Sequence, residues 1–112
     1  MEVGVTLDGD GKAEISTGIG FLDHLVETLF FYASFNGKVR AVERRKIDDH
    51  HIAEDVAIVL GEAIRKAAGS TIMRYGYSIV PMDDALILVA VDCSGRPGAW
   101  IDLKFTREAI GG

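Results

Sequence analysis

Two adjacent histidines followed by Glu54 and Asp55, in Asp48-Asp49-His50-His51-Ile52-Ala53-Glu54-Asp55, are the residues of this chain best suited to chemistry. Of its three histidines two sit here, and the third is His24. Neutral imidazole with carboxylate is a usual donor set for a divalent transition metal. On a helix, His50 and Glu54 share one face, about 40° apart. His51 and Asp55 form a second such pair, rotated by roughly 100° from the first. Two ring systems pointing that far apart do not easily close on one ion. The spacing predicts two metal sites, each completed from elsewhere. A solvated helix start, in which His and Glu simply favour water, gives the same pattern and is the competing reading.

The other candidates are weaker taken singly. His24 on a polar helix face is ordinarily surface. Arg74 and Arg96 both sit beside glycine, in Arg74-Tyr75-Gly76 and Gly95-Arg96-Pro97. A loop arginine is a natural bidentate phosphate clamp, although a plain surface charge is commoner. Asp83-Asp84, after Pro81, reads as a turn more readily than as a ligand pair. Gly18-x-Gly20 lacks the further glycines and the lysine of a phosphate loop. Cys93 reads as a small buried hydrophobe and Trp100 as packing.

The whole chain bounds these options. At 112 residues, 48% hydrophobic and 26% charged, it reads as one globular domain spanning 1–112. The net charge of −5 argues against a nucleic-acid surface, which needs a basic stripe. No apolar run approaches the roughly 18 residues of a membrane span. The start, Met1-Glu2-Val3-Gly4, lacks a basic region followed by an apolar stretch, so no secretory signal is expected. One cysteine cannot form an internal disulfide, which fits a reducing cytoplasm.

The positioning elements follow from pattern. Val3, Val5 and Leu7 alternate as a half-buried strand. The Asp8-Gly9-Asp10-Gly11 turn should return the chain along Lys12 to Ser16 as a hairpin. A helix is expected from about Phe21 to Ser34, with Phe21, Leu22, Leu25, Val26, Leu29 and Tyr32 on its apolar face. A strand is expected around Lys38 to Arg45. Asp48 or Asp49 can cap a second helix that runs to about Ala68 and stops at Gly69. Its inward stripe is Ile52, Val56, Val59, Leu60, Ala63 and Ile64, which leaves His50, Glu54, His51 and Asp55 off the core. Ala85 to Val91 reads as a central strand covered on both faces, and Ala99 to Phe105 as a final strand. Mixed strands with two helices predict a two-layer α+β sandwich.

Five ordered blocks are together more specific than any one motif. They are Thr17-Gly18-Ile19-Gly20-Phe21-Leu22-Asp23-His24, Asp48-Asp49-His50-His51 with Glu54-Asp55, Arg74-Tyr75-Gly76, Pro81-Met82-Asp83-Asp84-Ala85-Leu86, and Ser94-Gly95-Arg96-Pro97. In that order they resemble imidazoleglycerol-phosphate dehydratase of histidine biosynthesis, from about Leu7 to Pro97. The resemblance implies a manganese-dependent lyase that converts imidazoleglycerol phosphate to imidazoleacetol phosphate. It implies half of a duplicated fold, each half a mixed four-stranded sheet with two helices on one face. It also implies metal sites formed where subunits meet, in a 24-subunit homo-oligomeric cage. In that scheme His50 and Glu54 serve one Mn²⁺, His24 and His51 the other, and Arg74 and Arg96 hold the substrate phosphate. His50, His51 and Glu54 are then the catalytic set. Asp55, by its spacing, would orient His51 or a neighbouring ligand. Charge on the substrate's imidazole ring would be offset by the two cations as water is eliminated.

The family's chains are close to twice this long, and their second half carries another His-His-x-x-Glu. Nothing after Pro97 resembles it. Thr28 stands where members usually have Gln, and Tyr32-Ala33 where they usually have His-Gly. A fragment or engineered half, a chain whose second half is not included, and a natural single-half protein all fit this pattern. The alternative function is a non-catalytic metal-binding or scaffold half-domain that assembles into oligomers. A structural α+β domain with incidental histidines is the third reading.

Overall fold

A computed structural model describes residues 1–42, 48–70 and 72–108. They fall into two compact units, one covering Met1–Gly69 and the other beginning at Ser70. The first contains β1 (Glu2–Thr6), β2 (Ala13–Ser16), α1 (Gly20–Ala33), β3 (Asn36–Arg40) and α2 (Asp49–Ala68). The second contains β4 (Tyr75–Met82) and β5 (Ala85–Asp92). The α+β class stands. Where a mixed four-stranded sheet is expected, the described strands form a mixed three-stranded sheet in the first unit and a two-stranded one in the second.

In the first unit the strand order is β1-β3-β2, with β3 antiparallel to β1 and parallel to β2. The expected β1–β2 hairpin is therefore corrected. Both strands exist, but β3 lies between them. An interposed strand holds its neighbours roughly 10 Å apart, too far for a tight turn to join. The connecting loop is fastened to the intruder instead. The Asn36 Oδ1 accepts from the backbone N–H groups of Asp10 and Lys12, at 2.9 and 3.1 Å.

Gly37 lets the central strand sit there. A Cβ on it would fall on the Gly4 carbonyl oxygen and lie 2.9 Å from the Phe30 ring. Side chains alternate across the sheet as strand geometry requires. Val3, Val39 and Ile15 stand in register on one face, with Val5 and Ala13 flanking Gly37. Glu2, Glu14, Lys38 and Arg40 stand on the other. Both helices pack on the apolar face. Val26 and Phe30 of α1, Val39 of β3, and Ile52, Val56 and Leu60 of α2 form the buried core.

The apolar face of α1 differs from the one expected. Tyr32 is 81% exposed, and Phe21, Leu25 and Leu29 are also exposed, whereas Phe30 is fully buried. The helix carries apolar residues nearly all the way round, so periodicity could not choose the inward row. Phe30 is chosen because its ring fills the space above Gly37 and meets Phe35 edge-on, with centroids 6.0 Å apart. The helix stops at Ala33. Ser34 takes the left-handed conformation (φ 58°), and its N–H bonds to the Phe30 and Phe31 carbonyls.

The limits of α2 match expectation. Asp48 caps it, its side chain accepting from the His51 N–H at 2.9 Å. Gly69 ends it at φ 59°. Asp49 in the first turn and Arg65 and Lys66 in the last complement the helix dipole. β3 ends at Arg40, short of the expected Arg45, and residues 43–47 lie outside those described.

In the second unit β4 and β5 form an antiparallel hairpin, Tyr75 opposite Asp92 and Met82 opposite Ala85. Asp83-Asp84 is its turn, with Asp83 at φ 50°. β4 has no counterpart among the strands expected from pattern. β5 occupies the apolar run expected to be a strand, but its side chains are exposed on both faces. A two-stranded ribbon has no layer above or below it within its own unit, so the expectation of double cover is corrected there. The expected strand from Ala99 to Phe105 is absent, because that stretch joins no ladder among the described residues. Cys93 and Trp100, read as buried, are exposed, Trp100 by 93%.

Truncating the two α1 aromatics separates the inward row from the outward one. Phe30→Ala should lower the unfolding free energy by about 3–5 kcal/mol. Tyr32→Ala should change it by less than about 0.5 kcal/mol. Denaturant unfolding followed by circular dichroism checks both.

Candidate functional site

The paired histidines stand in the first turn of α2, and two constraints place them there. Asp48 fixes where the helix begins by accepting the His51 amide. Burial of Ile52, Val56 and Leu60 fixes its rotation. Together they turn His50 and His51 toward solvent, where both are exposed. His50 Nε2 lies 3.2 Å from Glu54 Oε1, and His51 Nε2 lies 3.5 Å from Asp55 Oδ2. The two His–carboxylate pairs expected at i,i+4 spacing are therefore both formed, on separate faces. Each offers a nitrogen and an oxygen in water, where the pair itself contributes little to stability.

His24 is exposed on α1. It lines an open groove of about 440 Å³ with Lys12, Glu27, Thr28 and Tyr32. His50 and His51 do not line that groove. Thr28, one turn on, donates its hydroxyl to the His24 carbonyl at 2.7 Å. Among the described residues no group of three or more His, Cys, Asp or Glu side chains is gathered tightly enough to hold a metal. The donors come as pairs.

Arg74 and Arg96 belong to the second unit, at the base of the hairpin and in the loop after it. Arg74 is held by a partner that the sequence reading missed. Its Nε donates to Asp92 Oδ1 at 2.6 Å, and a terminal nitrogen donates to Asp92 Oδ2 at 3.1 Å. Its guanidinium also lies 5.0 Å from the centre of the Tyr75 ring. A signal for Asp92 was present. Folding the hairpin about Asp83-Asp84 sets Tyr75 opposite Asp92, one residue from Arg74. The charge-assisted hydrogen bond and the charge of Arg74 hold the Asp92 carboxyl below its ordinary 3.8. The same contacts raise Arg74 above its ordinary value. In the loop, Ser94 Oγ accepts the Arg96 N–H at 3.1 Å and donates to the Arg96 carbonyl at 3.2 Å. This local knot shapes the turn that carries Arg96.

The sequence matches the family profile described as imidazoleglycerol-phosphate dehydratase over residues 17–112. That span contains His24, His50, His51, Glu54, Asp55, Arg74 and Arg96. The chain belongs to the imidazoleglycerol-phosphate dehydratase family. A relative of that name from Sulfurisphaera tokodaii is 44% identical over 114 residues, covering 100% of this chain and 59% of the relative. Those from Methanothermobacter thermautotrophicus and Acetivibrio thermocellus are 45% and 47% identical, over 99% of this chain and 58% of each relative. The chain thus spans about three-fifths of the length of the dehydratases it matches. No helix among the described residues is long and apolar enough to cross a membrane.

The Arg74–Asp92 pair has a definite pH signature. A carboxyl lowered on folding adds stability above its unfolded value and loses it as pH falls through the folded one. The hairpin base should therefore loosen in acid, below the ordinary carboxylate range, and not near neutrality. A carbon-detected NMR titration should place Asp92 below the ordinary value of its carboxyl. Arg74→Gln should return it to that ordinary value.

Proposed function

We propose that this chain supplies one half of the catalytic apparatus of an imidazoleglycerol-phosphate dehydratase, a hydro-lyase of histidine biosynthesis acting in the cytoplasm. The supporting observation is the outward presentation of two separate His–carboxylate pairs from one capped helix start. Imidazole nitrogen and carboxylate oxygen suit Mn²⁺, and the exposed pairs leave room for donors from another chain or half. His50 and Glu54 would hold one ion, and His51 with His24 the other. Asp55 would orient the His51 ring. Bound Mn²⁺ supplies positive charge that offsets the negative charge building on the substrate's imidazole ring as a proton leaves the adjoining carbon.

The remaining work falls to the chain's own side chains. Arg74 and Arg96 would grip the phosphate, far from the reacting carbons, and so fix the position of the bound molecule. Arg74 spends two of its five N–H donors on Asp92 and keeps three for an incoming phosphate. The carboxylate thus steadies the fork without exhausting it. Two donors per cation are too few for tight binding, so assembly with further copies or with a second half belongs to the same proposal. That assembly would be a closed homo-oligomer.

Size-exclusion chromatography with metal analysis tests this on the purified chain. Mn²⁺ should drive assembly, and His50→Ala should abolish it while α2 stays helical. Assembly unchanged by His50→Ala, or indifference to Mn²⁺ at every concentration, overturns the ligand assignment. The verified monomer should give no imidazoleacetol phosphate. Product formation by the metal-assembled form separates an enzyme from a metal-binding scaffold.

A further inference from the structure

Three histidines carry the proposed metal chemistry, and the two on α2 are set by an aspartate cap. Helix α1 has no such cap. Ile19 occupies the N-cap position and offers no side-chain hydrogen bond. Instead, a side chain from the first turn of the helix reaches back and holds the loop that leads into it. Asp23 Oδ1 accepts both the Thr17 backbone N–H, at 2.8 Å, and the Thr17 hydroxyl. Thr17 is 2% exposed and is the buried polar residue of the described chain. Its hydroxyl oxygen also accepts the Ile19 N–H at 3.2 Å. Gly18, at φ 84°, folds the loop back so that these groups meet. The first turn then closes through the Asp23 N–H to the Ile19 carbonyl at 2.9 Å.

We propose that Thr17 and Asp23 form a positioning latch that sets the rotation of α1 and thereby aims His24. Thr17 directly follows β2, so its backbone is anchored to the sheet edge. Residues next to each other on a helix differ by about 100° in direction. With the Asp23 side chain tied to the loop, His24 is turned into the groove it shares with Lys12, Thr28 and Tyr32. The carboxylate also sits where the helix dipole favours it. A buried hydroxyl bonded to a carboxylate is a costly pair to separate, so the latch resists fraying of the turn before His24. The inference rests on His24 being a metal ligand, and one arm of its test does not.

The 112-residue chain is labelled for NMR as wild type, Asp23→Ala, Asp23→Asn and Thr17→Val. Without metal, Asp23→Ala should speed hydrogen exchange of the first α1 amides by about tenfold. In a Mn²⁺ titration, it should raise the concentration that half-broadens the His24 ring signal by about tenfold, and leave His50 unchanged. Asp23→Asn keeps an accepting oxygen and should stay close to wild type. Thr17→Val, which keeps the backbone donor, should fall between. An unmoved His24 midpoint in folded Asp23→Ala overturns the latch, as does an equal shift at His24 and His50. If Asp23→Ala does not fold, Thr17→Val is judged by the same two criteria. If Mn²⁺ leaves His24 of the wild type untouched, the ligand assignment fails. The exchange arm then decides alone, and unchanged exchange overturns the latch.

Discussion

Burial of Ile52, Val56 and Leu60 against the sheet is the constraint on which the functional reading depends. A helix has one rotation once its apolar row is buried. That rotation puts His50 and His51 outside, each with a carboxylate one turn on. The row in turn needs a flat apolar floor. β3 provides it, because Gly37 admits the strand beside Gly4 and beneath Phe30. The path from Gly37 to the imidazoles is thus continuous. Glycine permits the strand, the strand builds the floor, and the floor sets the helix.

The site so built is open. Its donors come in twos, on faces too far apart to share one ion, and the arginines stand in a separate unit. An exposed ion pair is a weak stabiliser, so these histidine–carboxylate pairs do little for the fold.

Local signals carried α2 in full. Asp48, Gly69 and a clean apolar row marked its start, its stop and its face, and each is read within a few residues. The donor pairs were legible for the same reason, since i,i+4 neighbours on one helix need no tertiary information. The inward row of α1 was not legible. Phe21, Leu22, Leu25, Val26, Leu29 and Phe30 surround that helix, and only the hollow above Gly37 selects Phe30. The β1–β2 hairpin failed similarly. Alternation identifies a strand but not its neighbour, and β3 entered between the two.

Composition and spacing alone assigned the α+β class, the approximate limits of both helices and the pairing of His50 with Glu54 and His51 with Asp55, because these depend on contacts a few residues apart. Folding decided the strand order, the buried aromatic, the grip of Asp92 on Arg74 and the tie from Asp23 to Thr17. Most of these join residues distant along the chain. Asp23 and Thr17 are close in sequence, yet their meeting requires the backward bend at Gly18. Short-range periodicity is blind to such meetings, since many folds satisfy it equally and shape complementarity selects among them.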